Sequence, residues 1–545
     1  FCSARFRFSA GRPTAITQNK VIIKMTRKTK IQKPVGTVLL MMGATLLAKV
    51  LGMLRSVLMA SHYGTGMEAN AFSQASHIPL TFFDLLFSAA IVGCFIPVYN
   101  SFREDDRSGK SEFACIFLNA VLLLTAFFSV LGILFAKPII ALMAPGFDRE
   151  TAALAVRLLR IMFPMILFTG STYTLVGIMQ SHGKYLLPAM ISAVSNAAII
   201  LYFLLLDGRF GENSIYFLAV AYLAAWSLQL ITLAVPLLRD GFRLRAVLHL
   251  RNPKFRDAMR MLPPIMVGSW LSPLGILIGL SVSSLTAVPG AVTIFDYANT
   301  VYVIIAGTLS YSICNYIFPK LSRMDGLGDA KAFTETVRTT LEAALMVLLP
   351  FAVGAIILSG EGISILYQRN MFDAADAAYT AHALQWLLLA VPAFSVVELL
   401  SRVFYARKTV WVPMAAAVTG VFANLVTAIL LIRIPALGVG AVAIANAVGQ
   451  YAAALVLLIA LRVKIPAVYD RSLGMFLLKL LIAALLSGAV MLGIRLVIGG
   501  DPYTVGFLRN CLTAVLVFLP GIGVYLGAAK LLHLDAVLSS AKDRR

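Results

Sequence analysis

Lys49, Arg55, Asp84 and Asp296 stand inside long apolar runs of the sequence. Charges in such places do one kind of chemistry well, the recognition of an ion or a polar head group where bulk water is excluded. Each costs about 2.5–3.5 kcal/mol at mid-bilayer unless it faces protein or water. Lys49 and Asp84 lie about fourteen residues into their runs, too deep to snorkel to an interface, so a mutual ion pair is expected. Arg55 lies nearer the end of its run, and Asp296 and Asn299 sit at a similar depth in another. Lys49 and Arg55 are about 240° apart on a helix, so the segment bearing them must be enclosed by protein or line a broad aqueous cavity. Gly52, Gly64 and Gly66 leave room for close packing or bending along it.

Other intramembrane charges have simpler explanations. Glu398 and Arg402 are an i,i+4 pair, and Lys479, Arg509 and Glu342 lie close enough to span ends to reach water. Arg157 and Arg160 are i,i+3 neighbours for which binding and structural roles weigh equally. Covalent and metal chemistry find no footing: there is no GxxxxGK[ST], HExxH or GxSxG, the six histidines are dispersed, and the five cysteines form no CxxC. No cofactor and no metal site are expected.

The elements that position these residues follow from composition. Sixty per cent of the 545 residues are hydrophobic and 13% charged, with mean hydropathy +0.87. Too few polar residues remain to cover a soluble protein of this length, so lipid is the solvent for most of the chain. Punctuation by polar, Pro and Gly residues yields fourteen segments long enough to cross a membrane, at 36–60, 71–98, 113–136, 152–180, 185–206, 215–238, 261–285, 291–318, 339–359, 380–405, 410–432, 436–461, 472–494 and 505–529. Counted over alternate connections, 28 Lys and Arg fall on one side and 6 on the other, which places both termini in the cytoplasm. The formal charge of +21 is therefore a topology signal facing anionic phospholipid, not a nucleic-acid footprint. Residues 1–35 form a basic leader in which Met25 is the expected initiator, with 1–24 upstream of it. The linker 239–260 holds seven basic residues interleaved with Phe242, Leu244, Val247, Leu248 and Leu250, and reads as an amphipathic element on the inner surface.

The pattern Phe163-Pro164, Lys184, Pro188, Asn196 has a counterpart in Val391-Pro392, Lys408, Pro413, Asn424. This implies an all-α polytopic fold of two six-helix lobes, 36–238 and 261–461, related by a pseudo-twofold axis along the membrane normal, with two further helices in 462–545. Matched depth on helices of different lobes makes Arg55 and Asp296 the expected gate: together at the outer mouth in the inward-facing state, apart in the outward-facing one.

The residues quoted above fall within a longer resemblance. Lys49-Val50-Leu51-Gly52-Met53-Leu54-Arg55, Tyr63-Gly64-Thr65-Gly66-Met67-Glu68-Ala69-Asn70-Ala71-Phe72, Phe95-Ile96-Pro97-Val98-Tyr99, Ala144-Pro145-Gly146-Phe147, Phe318-Pro319-Lys320-Leu321-Ser322 and Leu366-Tyr367-Gln368-Arg369-Asn370-Met371-Phe372-Asp373 are similar to segments of the MurJ (MviN) lipid II flippases of bacteria. These belong to the multidrug/oligosaccharidyl-lipid/polysaccharide exporter superfamily, and the resemblance runs from about residue 36 to 530. It implies a transporter of the bacterial cytoplasmic membrane that flips undecaprenyl-diphosphate-linked peptidoglycan precursor outward by alternating access. Its substrate site would comprise Lys49, Arg55, Asn70, Asp84 and Asn299, its last two spans would take the polyprenyl tail, and cell-wall synthesis proteins are possible partners. The sequence departs from the family pattern with Lys49 and Asn70 where Arg and Asp are usual, Phe83 in place of an arginine, and Asn299-Thr300 in place of Asp-Arg. The alternatives are a flippase for another polyprenyl-linked glycan, an exporter of amphiphiles, and a membrane glycosyltransferase or wall-assembly scaffold.

Overall fold

A computed structural model describes residues 34–88, 94–102, 106–268, 270–326, 330–469 and 471–534. The basic leader, including Met25, and the tail beyond 534 lie outside the described residues. Among those described, the chain is helical and has no β-strand, only an isolated bridge between Arg369 and Phe372. The first group of helices is α1 (Pro34–Tyr63), α2 (Met67–Phe83), α3 (Ile96–Asn100), α4 (Arg107–Leu134), α5 (Ala136–Met143), α6 (Arg149–Met162), α7 (Met165–Ser181), α8 (Leu186–Leu205) and α9 (Ser214–Arg239). After the linker come α10 (Pro253–Gly268), α11 (Leu271–Ser283), α12 (Ala291–Gly326), α13 (Ala330–Ile357), α14 (Ser359–Tyr367), α15 (Ala374–Leu388), α16 (Val391–Ala406), α17 (Trp411–Leu431) and α18 (Gly440–Lys464), then α19 (Arg471–Ile498) and α20 (Phe507–Leu531).

Among the described residues eleven helices are long and apolar enough to cross a membrane, and twelve if α15 and α16, bent by 46°, form one span. The expected fourteen are not reached by this measure. The two segments that fall short are both broken. Segment 71–98 leaves α-helical geometry at Asp84, where a π turn covers Asp84–Ser88, and 261–285 divides between α10, described to Gly268, and α11, which begins at Leu271 after its cap Trp270. Proline explains two further breaks: Pro164 separates α6 from α7, and Pro392 stands in the first turn of α16. By contrast α12 runs through Pro319 to Gly326, where a loop from 319 was expected.

The helices pack chiefly within two sets, α1 along α8 and α2 along α6 in the first, α12 along α15 and α16, and α17 along α18 in the second. A similar device occurs in each. A Cβ on Gly52 of α1 would lie 3.2 Å from the Asn196 amide of α8, and one on Gly275 of α11 would lie 3.8 Å from the Asn424 amide of α17. Asn196 Nδ2 donates to the Ala48 carbonyl at 3.2 Å, so a polar side chain inside the bundle is satisfied by backbone.

The expected amphipathic linker is not helical before Pro253. Residues 242–249 have no regular secondary structure, because Asn119 of α4 takes two of their carbonyls, donating to Arg245 O at 2.7 Å and Val247 O at 2.9 Å. Phe242 and Val247 pack on the core, whereas Leu244, Leu248 and Leu250 are exposed, as are Arg243, Arg245 and Arg251. At the other end of the bundle Asp148 caps α6 through the N–H groups of Glu150 and Thr151. The Thr151 hydroxyl and N–H hold its carboxyl below the usual carboxylate range.

Candidate functional site

The end of the bundle carrying residues 61–70, 286–290 and 360–379 is termed outer, after the basic-residue asymmetry. There the two helix sets meet in a seal of backbone and side-chain hydrogen bonds. The Met371 N–H donates to Ser61 O at 3.1 Å, and Asn370 Nδ2 donates to Ser61 Oγ at 2.7 Å. Thr65 Oγ1 donates to Asp376 Oδ1 at 2.6 Å, and Asn70 Oδ1 accepts from Thr293 N at 3.0 Å and Thr293 Oγ1 at 3.1 Å. On the flank the Gly146 N–H donates to Ser284 Oγ at 3.2 Å.

Two glycines permit this approach. Gly64 has φ +53°, and a Cβ there would stand 2.5 Å from the Met371 carbonyl oxygen; at Gly146 it would stand 1.9 Å from Ser284 O. For Gly64→Ala the left-handed backbone alone costs about 1–2 kcal/mol, before the clash. We expect the seal to part in this variant. A cysteine at the buried Val57, just beneath the seal, should react about tenfold faster or more with a membrane-impermeant maleimide than in the parent. Unchanged labelling would mean that the seal tolerates the added methyl.

Beneath the seal lies a polar cluster. Arg55 of α1 is half-buried with its guanidinium 5.6 Å from the centre of the Tyr222 ring, a cation–π contact with α9. Tyr222 stacks on Trp226, and Tyr297 of α12 stacks on Tyr367 of α14 with ring centres 5.0 Å apart. Tyr367 OH lies 3.1 Å from Ser56 Oγ, tying α14 to α1. Between these rings His77 Nε2 of α2 lies 2.9 Å from Asp296 Oδ1 of α12. Arg55 acts electrostatically on both members of that pair, but the hydrogen bond of Asp296 goes to His77.

The sequence-predicted residues thus separate. Arg55 and Asp296 come together in one cluster, although Asp296 pairs with His77. Asn70 sits above them in the seal, and Asn299 is buried on α12, one turn along from Asp296. Lys49 is half-buried deeper on α1, and Asp84 opens the π turn, exposed. The expected Lys49–Asp84 ion pair is not formed; Asp84 acts electrostatically on Tyr173 of α7 instead. Glu398 and Arg402 do pair, at 3.4 Å, Lys479 Nζ reaches Leu532 O at 2.9 Å, and Arg157 and Arg160 are exposed on α6. His77 is not singled out by the sequence because the six histidines are dispersed along it. Its signal was the helical stripe Ser73, His77, Asp84 on one face of an apolar run. Among the described residues no group of His, Cys, Asp and Glu could hold a metal ion.

Comparison with known proteins places this geometry. The family model described as "Lipid II flippase MurJ" matches residues 59–511. The "Probable lipid II flippase MurJ" of Rhizobium tropici is 26% identical over 459 residues, covering 82% of this chain and 85% of its own. That of Rickettsia prowazekii (strain Madrid E) is 25% identical over 382 residues, covering 70% and 75%. The solved structure titled "Lipid II flippase MurJ, inward closed conformation" superposes with TM-score 0.74 at 23% identity, over 89% of this chain and 98% of that one. An inward-facing multidrug resistance MATE family transporter of the MOP superfamily superposes with TM-score 0.59 at 14% identity, over 82% and 98%.

Proposed function

Because the chain belongs to the lipid II flippase MurJ family, we propose that it carries undecaprenyl-diphosphate-linked peptidoglycan precursor from the inner to the outer leaflet of the bacterial cytoplasmic membrane by alternating access, without covalent chemistry. The observation that carries this reading is the placement of Arg55: a fixed cation directly beneath the outer seal, where Thr65 bonds Asp376 and Asn70 bonds Thr293 across the two helix sets. A diphosphate reaching Arg55 from beneath the seal meets a guanidinium that lies 5.6 Å from the Tyr222 ring centre and makes no ion pair among the described residues, and its planar fork suits phosphate oxygens. Lys49 and Asp84, deeper on the same route and unpaired with each other, guide the head group in, and Asn70 and Asn299 flank its passage. Alternating access then requires the seal to break and the opposite end to close.

The tail has a place of its own. Leu349, Val353 and Ile357 of α13 and Leu481, Leu485 and Leu492 of α19 line an apolar groove of about 250 Å³ that suits part of a polyprenyl chain. The exposed arginines of 239–260 face anionic phospholipid at the inner surface.

Expression in a cell depleted of its native lipid II flippase tests the reading. Growth and labelled lipid II at the outer leaflet are expected, whereas a flippase for another polyprenyl-linked glycan gives neither. In the same cells a cysteine at Tyr379 should react with an impermeant reagent and one at Gly109 should not; the reverse pattern would overturn the orientation.

A further inference from the structure

The charged link that crosses between the two helix sets beneath the seal is made by a histidine. His77 Nε2 meets Asp296 Oδ1 at 2.9 Å, with the side chains 28% and 16% exposed, so neither is fully enclosed while paired. The Ser73 hydroxyl bonds the same carboxyl group. The pair is made by α2 and α12, the helices that Asn70 and Thr293 join higher up, so parting of the outer ends must break it. Among the described residues it is the ion pair that joins the first set to the second.

Resting on the reading of a diphosphate substrate, we infer that His77 is the second cation of the diphosphate site and the release of the outer seal. With the site empty, Asp296 holds the imidazole. A diphosphate bound at Arg55 presents phosphate oxygens that compete with the carboxylate for the same N–H, and each bond His77 makes to phosphate is one it no longer makes across the mouth. A link formed in only one state biases the equilibrium by its difference in free energy between states, so substrate and opening are coupled through this side chain. The arrangement also supplies a cation that the fixed charges lack, since Phe83 and Thr300 stand where the resemblance leads one to expect arginines.

An imidazole differs from an arginine in that its charge is conditional. The charged groups acting on the ring are Asp296 from α12 and Arg55 from α1. The cluster's other titratable neighbours, Tyr222 of α9, Tyr297 of α12 and Tyr367 of α14, are phenols, while α6, α7 and α11, which also pack on α2, bring no further charge to it. The sign follows directly. Imidazolium beside carboxylate strengthens the link, so the closed state is favoured at low pH and weakened as pH rises through the histidine titration.

The test uses the full chain in nanodiscs, with native cysteines replaced and spin labels on cysteines at Met67 and Tyr379, exposed positions on the outer ends of α2 and α15. Without substrate, raising the pH from about 5.5 to about 8.5 should lengthen the distance between labels in the parent, and in neither His77→Gln nor Asp296→Asn. At fixed pH, undecaprenyl diphosphate should lengthen it in the parent and bind roughly tenfold more weakly in His77→Gln. His77→Arg should recover the binding without the pH response. A distance insensitive to pH in the parent, or a response that persists in His77→Gln, overturns the inference whatever substrate is moved. A pH response confined to the parent, in a protein that fails to flip lipid II, supports the link and removes only the substrate reading.

Discussion

Arg55→Ala should fail to sustain growth of flippase-depleted cells while the protein accumulates to near the parent's level. Both halves of this expectation come from the surroundings of the side chain. It makes no ion pair of its own among the described residues and rests on the face of Tyr222, whose ring is independently held by Trp226 at 5.7 Å and by Phe72 at 4.8 Å. Truncation therefore removes a charge from the cavity without orphaning a buried partner, the usual route to large destabilisation. What is lost is the charge-assisted contact with diphosphate, worth about 1.5–3 kcal/mol per hydrogen bond, so two such bonds amount to some two orders of magnitude or more in affinity. Arg55→Lys keeps the charge and loses the planar fork, and should restore activity only in part. Growth rate, immunoblot and lipid II labelling at the outer leaflet decide it. Disappearance of the protein in the alanine variant would instead make Arg55 a structural residue.

Arg495→Ala should have the largest effect on stability. Arg495 of α19 forms an ion pair with Glu361 of α14, and the two side chains are 17% and 2% exposed. The guanidinium also donates to Gly500 O at 2.9 Å and Gly499 O at 3.4 Å, so it closes the turn between α19 and α20 while tying that hairpin to the helix before the seal. Gln368 Nε2 and Asn510 Nδ2 add bonds to Tyr503 O at 2.7 Å and Pro502 O at 2.6 Å on the same side. Removing the arginine leaves a buried carboxylate without its counter-ion, a change that costs about 3–5 kcal/mol in comparable sites. We expect a clear fall in melting temperature for the purified protein, and recovery of much of it in the double variant Glu361→Leu/Arg495→Met, where no charge is left unpaired. A single variant that melts like the parent would mean that solvent already screens the pair.

Much of this molecule was legible without coordinates because a bilayer enforces simple rules. A long apolar run in lipid must satisfy its own backbone, so length and hydropathy place helices along most of the chain, while the Lys and Arg asymmetry predicts which of their ends face the cytoplasm. The pair Glu398–Arg402 formed as local spacing predicts, since an i,i+4 contact depends only on neighbours in the chain. Tertiary structure decided what local spacing cannot. Asp84 makes no pair with Lys49 and opens a π turn, a departure from the α-helix set by packing against α7, α10 and α11. The linker 242–249 gave up helical bonds to the Asn119 amide of a helix more than a hundred residues away. Asp296 took His77 for its partner when depth alone pointed to Arg55, because depth along a helix is set by sequence, whereas azimuth and tilt are set by the helices packed around it.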